Sequence, residues 1–142
     1  MPEHYRHSVS VAGVTVRGDG KVLMIRRRDN GALQIPGGIL EEGEDIPTGL
    51  VREVAEETGY KVEPQRLTGV YKNMKLGVVA LVYRCEVLGG ESTLNDEASE
   101  ILWLDRKEIE EGSVEAFAVR VTDALDHEGP ATRSHDGTRL LR

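Results

Sequence analysis

Residues 38–60 read GILEEGEDIPTGLVREVAEETGY, and the fold follows from what this stretch is. Its second half, from about Pro47 to Thr58, has the pattern of a helix. Asp45 is placed to cap the N-terminus, Pro47 suits the first turn, and Gly59 supplies the C-terminal stop. With Glu53 set at zero and roughly 100° per residue, Glu57 falls near 40° and Glu56 near −60°. The three carboxylates therefore share a face. Leu50, Val51, Val54, Ala55 and Thr58 occupy the neighbouring face, the one expected to meet a core. Gly49 lies within the acidic face, where glycine costs about 1 kcal/mol against alanine. Close packing by a loop and simple tolerance both account for it.

Clustered carboxylates repel one another. Arg52, four residues before Glu56, relieves part of that repulsion. A hard divalent cation relieves more, because Mg²⁺ takes carboxylate and water oxygens and leaves positions open for phosphate. On spacing alone an E-x-x-E-E face is as a rule a solvated surface. The flanking residues change that reading.

Outward from the helix, SVSVAGVTV (Ser8 to Val16) alternates like a strand. Gly18-Asp19-Gly20 makes a turn, and Lys21 to Arg27 reads as the hairpin partner. Leu33 to Ile35 is a short extended piece stopped by Pro36-Gly37-Gly38. Gly69 to Tyr71, the apolar Gly77 to Val87, and Ile101 to Leu104 around Trp103 read as further strands. A short helix is expected at Arg106 to Glu111 and an amphipathic one at Val114 to Leu125. The polar segment 128–142 is expected to be a flexible tail. This order predicts the α/β class, with one mixed sheet sandwiched by helices.

A length of 142 residues fits a single domain. A formal net charge of −7 argues against binding a nucleic-acid polymer through a general positive field. No apolar run reaches membrane-spanning length, and MPEHYRHSVSVAG lacks the features of a secretory signal, so a cytoplasmic location is expected. Cys85 is a lone cysteine in an apolar strand, read as a buried thiol.

From Gly38 to Tyr60 the chain resembles the signature box of the Nudix hydrolases: a glycine, five residues, a glutamate, seven residues, then R-E-U-x-E-E-x-G-U, where U is bulky and aliphatic. Gly38, Glu44, Arg52, Glu53, Val54, Glu56, Glu57 and Gly59 fall in the required places. Tyr60 departs from the usual aliphatic residue, and Gly49 from the usual alanine. The resemblance spans about residues 8–125, and only the box is highly specific. It implies a Nudix-type α/β/α sandwich and a Mg²⁺- or Mn²⁺-dependent attack of water on a diphosphate bridge. Glu53 and Glu57 would be the principal metal ligands, and Glu56 a further ligand or the group that helps deprotonate water. The Gly38 carbonyl is another candidate ligand. Arg52 would orient the glutamates by pairing with Glu44, so both support the site.

Some family members use an extra glutamate ahead of a tryptophan in the last strand. Glu97 is the first candidate for that ligand or base, and Glu100 the second. Arg26, Arg27 and Arg28 end a strand near the box, and Arg26 and Arg28 are taken as phosphate contacts, a solvent-facing strand end being the alternative. Tyr71, with Lys72, is a candidate to line a base or sugar pocket. The expected substrate is a nucleoside diphosphate linked to another group, such as ADP-ribose or a nucleotide sugar. Nucleoside triphosphate sanitation competes within the same chemistry, and a non-catalytic nucleotide sensor is the rival class. An isomerase would need a well-placed cysteine, for which mid-strand Cys85 is poorly suited. A small-molecule nucleotide is thus the expected partner, with room left for a homodimer.

Overall fold

The computed structural model describes residues 3–142. In chain order the elements are β1 (Ser8–Thr15), β2 (Val22–Arg27), β3 (Leu33–Gln34), β4 (Gly37–Ile39), α1 (Ile46–Thr58), β5 (Tyr60–Asn73), β6 (Val78–Gly90), β7 (Ala98–Leu104), α2 (Arg106–Gly112), α3 (Glu115–Asp126) and β8 (Ala131–His135). The α/β class and the mixed sheet are as expected from the sequence. A five-stranded sheet runs β4-β1-β6-β5-β8, with β1–β6 and β5–β8 parallel and the other pairs antiparallel.

The expectation of a single sheet needs correction. A second, antiparallel sheet runs β3-β2-β7. The predicted β1–β2 hairpin does not extend along the strands, because both edges of β1 are taken, one by β6 from Ser8↔Val78 to Thr15↔Cys85 and the other by β4 at Ser10 to Ala12. What remains of it is the bridge Val16↔Val22 and the turn beyond, where the Arg17 amide donates to the Lys21 carbonyl at 2.8 Å. Val22 to Ile25 are all buried, so β2 needs cover on both faces and finds its neighbours in β3 and β7. Pro36 does not end the extended chain either: Gly37 to Ile39 pair with β1 as β4.

The segment 128–142 is not a loose tail. Residues 131–135 are a strand, in register from Gly69↔Ala131 to Asn73↔His135. Polarity misled here, because the polar groups are used internally. The Arg133 guanidinium makes two 2.7 Å hydrogen bonds to Asp123, and His135 is buried.

Alternation along β1 divides the core. Val11 and Gly13 face α1, where Leu50, Val54, Val62 and Cys85 pack. Ala12 and Val14 face Met24, Tyr71, Ile109, Val121 and Ala124 beneath α2 and α3. Helices thus cover both sides of the sheets. Burial pushes the Cys85 thiol up to about 12, as expected of an inert core cysteine. Among the described residues, no helix is long and apolar enough to cross a membrane.

Candidate active site

Both ends of α1 are fixed as its sequence requires. The Asp45 carboxylate accepts from the Thr48 amide at 2.9 Å, and Gly59 turns out of the helix at φ 85°. The buried face is rotated from the one predicted. Gly49, Leu50, Val54, Glu57 and Thr58 are buried, while Ala55 is exposed. Glu57 therefore sits on the core side of the helix, and Glu53 lies beside it, half-buried.

The box loop closes over this face. Arg52 donates to Glu44 through Nε at 2.6 Å and Nη2 at 2.9 Å, the pairing expected from the resemblance. It also donates to Glu53 at 2.8 Å and Glu56 at 3.2 Å. Held by Arg52 and by the Glu41 amide, the Glu44 carboxyl titrates down at about 2. Close packing explains Gly49, because a Cβ there would meet Leu40 Cδ1 at 2.6 Å and Glu44 Oε1 at 2.7 Å. Gly38 has the same logic: a Cβ would collide with the Glu53 carboxylate.

These elements line an open cleft of about 640 Å³. Glu53 and Glu57 come from α1, Gly37 and Gly38 from β4, and Asp96 and Glu97 from the loop before β7. Burial, then Glu53 and Glu97, push the Glu57 carboxyl up to about 8, opposed by the Gly37 amide and Arg27. Glu53 is also raised, chiefly by burial. The cleft therefore gathers more negative charge than it neutralises. Among the described residues no three carboxylate, imidazole or thiol groups are assembled into a ready metal cage. The donors on offer, carboxylates and a backbone carbonyl, are the hard oxygens that suit Mg²⁺ or Mn²⁺.

A family model described as the NUDIX domain matches residues 6–125. The chain belongs to the Nudix hydrolase family. This Nudix chain is 53% identical over 135 residues to a MutT-like protein of Streptomyces ambofaciens, covering 95% of this chain and 88% of that one. Over 109 residues it is 36% identical to an ADP-ribose pyrophosphatase of Methanocaldococcus jannaschii, covering 71% of this chain and 64% of that protein. The crystal structure of an ADP-ribose pyrophosphatase from Streptococcus suis has a TM-score of 0.77 at 22% identity, covering 89% of this chain and 99% of that one, a likeness of fold. The protein is accordingly an enzyme of the Nudix hydrolase type, a class that cleaves pyrophosphate linkages and in general uses a divalent metal.

Several predicted site residues of this Nudix chain stand elsewhere. Glu56 is exposed and turned to Arg52, away from the cleft lining. Arg26 is tied to Glu100 at 2.7 Å, which occupies both residues outside the cleft. Arg28 donates to the carbonyls of Asn95 and Ala98, so it braces the Glu97 loop and does not line the cleft. Tyr71 is fully buried, its hydroxyl donating to Asp123 at 2.8 Å, and so has no access to substrate.

The cleft arginine is Arg27, held by Asp29. Alternation was the available signal: Leu23, Ile25 and Arg27 share a face of β2, and Leu23 packs in the α1 half of the core. Asn95 was also missed. Its amide donates to the Glu57 carbonyl at 2.6 Å, and its oxygen accepts from the Glu97 and Ala98 amides. Asparagine ahead of Asp96-Glu97 is turn chemistry, and that chemistry ties the Glu97 loop to the end of α1.

Proposed function

We propose that this Nudix enzyme hydrolyses the pyrophosphate bond of a nucleoside diphosphate joined to a second group, an ADP-ribose- or nucleotide-sugar-like substrate, with Mg²⁺ or Mn²⁺ as cofactor. One observation carries the reading. Glu57 is a buried carboxylate that opens into an acid-lined cleft, next to a Glu53 carboxylate seated directly over Gly38. Burying an acid among acids is costly unless a cation joins it.

Glu53, Glu57 and the Gly38 carbonyl would hold the metal. Bound there, it would offset charge on the phosphoryl oxygens and make the attacking water more acidic. Glu97, exposed at the rim on the loop that Asn95 and Arg28 brace, would take the proton from that water. Arg27 would face the phosphate, its charge secured by Asp29. The Arg52–Glu44 pair would keep Glu53 in place. The water oxygen then bonds to one phosphorus, the bridging P–O bond breaks, and a nucleoside monophosphate leaves with the phosphorylated second group.

A panel of nucleoside diphosphate conjugates and nucleoside triphosphates, assayed with Mg²⁺ and with chelator, tests this. The expected result is metal-dependent release of nucleoside monophosphate from a conjugate. Tight nucleotide binding without turnover across the panel would make the protein a sensor instead.

A further inference from the structure

A second cavity, of about 250 Å³, adjoins the acidic cleft and shares Arg27, Gly37, Gly38 and Ile39 with it. Its far side is formed by Arg120 of α3, His135 of β8 and Asn73 of β5. Among the described residues, no aspartate or glutamate lines it.

The unmet groups at this far side are donors, while Ser10 and Gln34 elsewhere in the lining can donate or accept. The Gly137 amide, which can only donate, reaches His135 Nδ1 at 2.9 Å. Nδ1 is then the acceptor of the neutral imidazole, and Nε2 carries the hydrogen. Arg120 Nη2 stands 3.3 Å from that Nε2, so two donors face each other. Arg120 Nε is buried with no partner, and no carboxylate pairs with this arginine among the described residues. Its guanidinium is instead held between the rings of Tyr71 and Phe117, each 5.2 Å away. Burial lowers the Arg120 pKa to about 10, which still leaves it charged at neutral pH. Asn73 adds a third donor, because its oxygen already accepts from the Lys75 and Leu76 amides and only the NH₂ remains.

We infer that this cavity is the base-selecting subsite of the enzyme, and that Arg120 and His135 select a nucleobase whose inward edge presents acceptors. Guanine offers O6 and N7 to such donors, and uracil offers a carbonyl. Adenine sets its N6 amino group beside N7, and that donor would meet donors. The inference rests on the proposed pyrophosphate chemistry only for where the diphosphate lies, with the shared glycines joining base and bridge. It narrows the substrate to oxo-base diphosphates and away from adenosine ones.

The test uses one sugar and varies the base. GDP-glucose, UDP-glucose and ADP-glucose are hydrolysed side by side, and GMP, UMP and AMP binding is measured by calorimetry without metal. The expected kcat/KM for the better oxo-base conjugate exceeds that for ADP-glucose at least about tenfold, the scale of one unmatched hydrogen-bond edge. Monophosphate affinities should follow the same order. In Arg120→Gln the preference should fall within about threefold, through a loss of kcat/KM for the preferred conjugate that ADP-glucose does not share. Arg120→Lys should restore it only in part, because a lysine lacks the fork. ADP-glucose equal or preferred in the wild type would overturn the inference, whatever the variants do, as would an unchanged preference in a folded Arg120→Gln. Failure of every conjugate to be hydrolysed would instead strike the proposed reaction, leaving the monophosphate affinities to judge the base subsite.

Discussion

The acidic cleft and the cavity beside it share a wall at Gly37 and Gly38, yet they handle charge in opposite ways. In the cleft, Glu53, Glu57 and Glu97 are an excess of acceptors, and a buried carboxyl is pushed up to about 8. In the cavity, Arg120, His135 and Asn73 are an excess of donors with no acid to receive them. Each side has the chemistry to take one part of a nucleotide and its cation: hard oxygens for a metal in the first, donors for an acceptor edge in the second. On the proposed reading, the bond to be cut and the group to be chosen would be read by separate residues.

The comparison can be broken at either side, and the largest effect belongs to the cleft. Glu57→Gln is expected to lower kcat at least about a hundredfold, the scale of lost transition-state charge stabilisation, with the fold intact. Base preference should not change, and a shift in it would show that the two regions are not separable. Next comes the shared wall. A methyl group at Gly38 collides with the Glu53 carboxylate, so Gly38→Ala should cut kcat/KM by roughly tenfold to a hundredfold and raise the Mg²⁺ needed for half-maximal rate. An unaltered magnesium titration would remove Gly38 and Glu53 from the metal site.

Tyr71→Phe bears on stability alone. It removes the hydroxyl that donates to buried Asp123 and should cost about 1–2 kcal/mol in a denaturant titration. Turnover should stay near normal, and a large loss of kcat/KM would return Tyr71 to the substrate.

The smallest effect is also the most specific to the comparison. In metal-free protein, Glu57 holds its proton up to about pH 8, against an ordinary carboxyl value of 4.5. The native state thus binds more protons than the unfolded one in that window, and stability falls as pH rises through it. His135 has the opposite sign. Burial, with Arg120 nearby, lowers its pKa below 6.5, so stability is lost as pH falls beneath that value. Glu57→Gln should flatten the first trend and His135→Gln the second, read as melting temperature against pH. Saturating Mg²⁺ should erase the first trend only.

How much of this was legible in the chain depends on the range of the interactions. The box helix, with Asp45 before it and Gly59 after it, was readable because caps and period are local. The Arg52–Glu44 pair followed from the family pattern. The wheel placed Glu57 beside Glu53, but the side that packs was set by β1 and β5, which periodicity cannot see. Composition does not separate Arg27 from Arg26 and Arg28, whereas alternation along β2 does. Tyr71 reads in sequence as a candidate to line a base or sugar pocket, and only the fold brings Asp123 to its hydroxyl, 52 residues on. Polar content concealed β8, whose Arg133 and His135 turn inward.

That last strand has a practical consequence for how the enzyme is handled. It lies beyond residue 125, where the match to the family pattern stops, and it carries His135 to the floor of the second cavity. Shortening the C-terminus to make a tidier crystallisation target would therefore unroof the chamber while sparing the box. If the second cavity selects the base as inferred, chimeras that exchange only these closing residues would alter nucleotide preference while sparing the box helix.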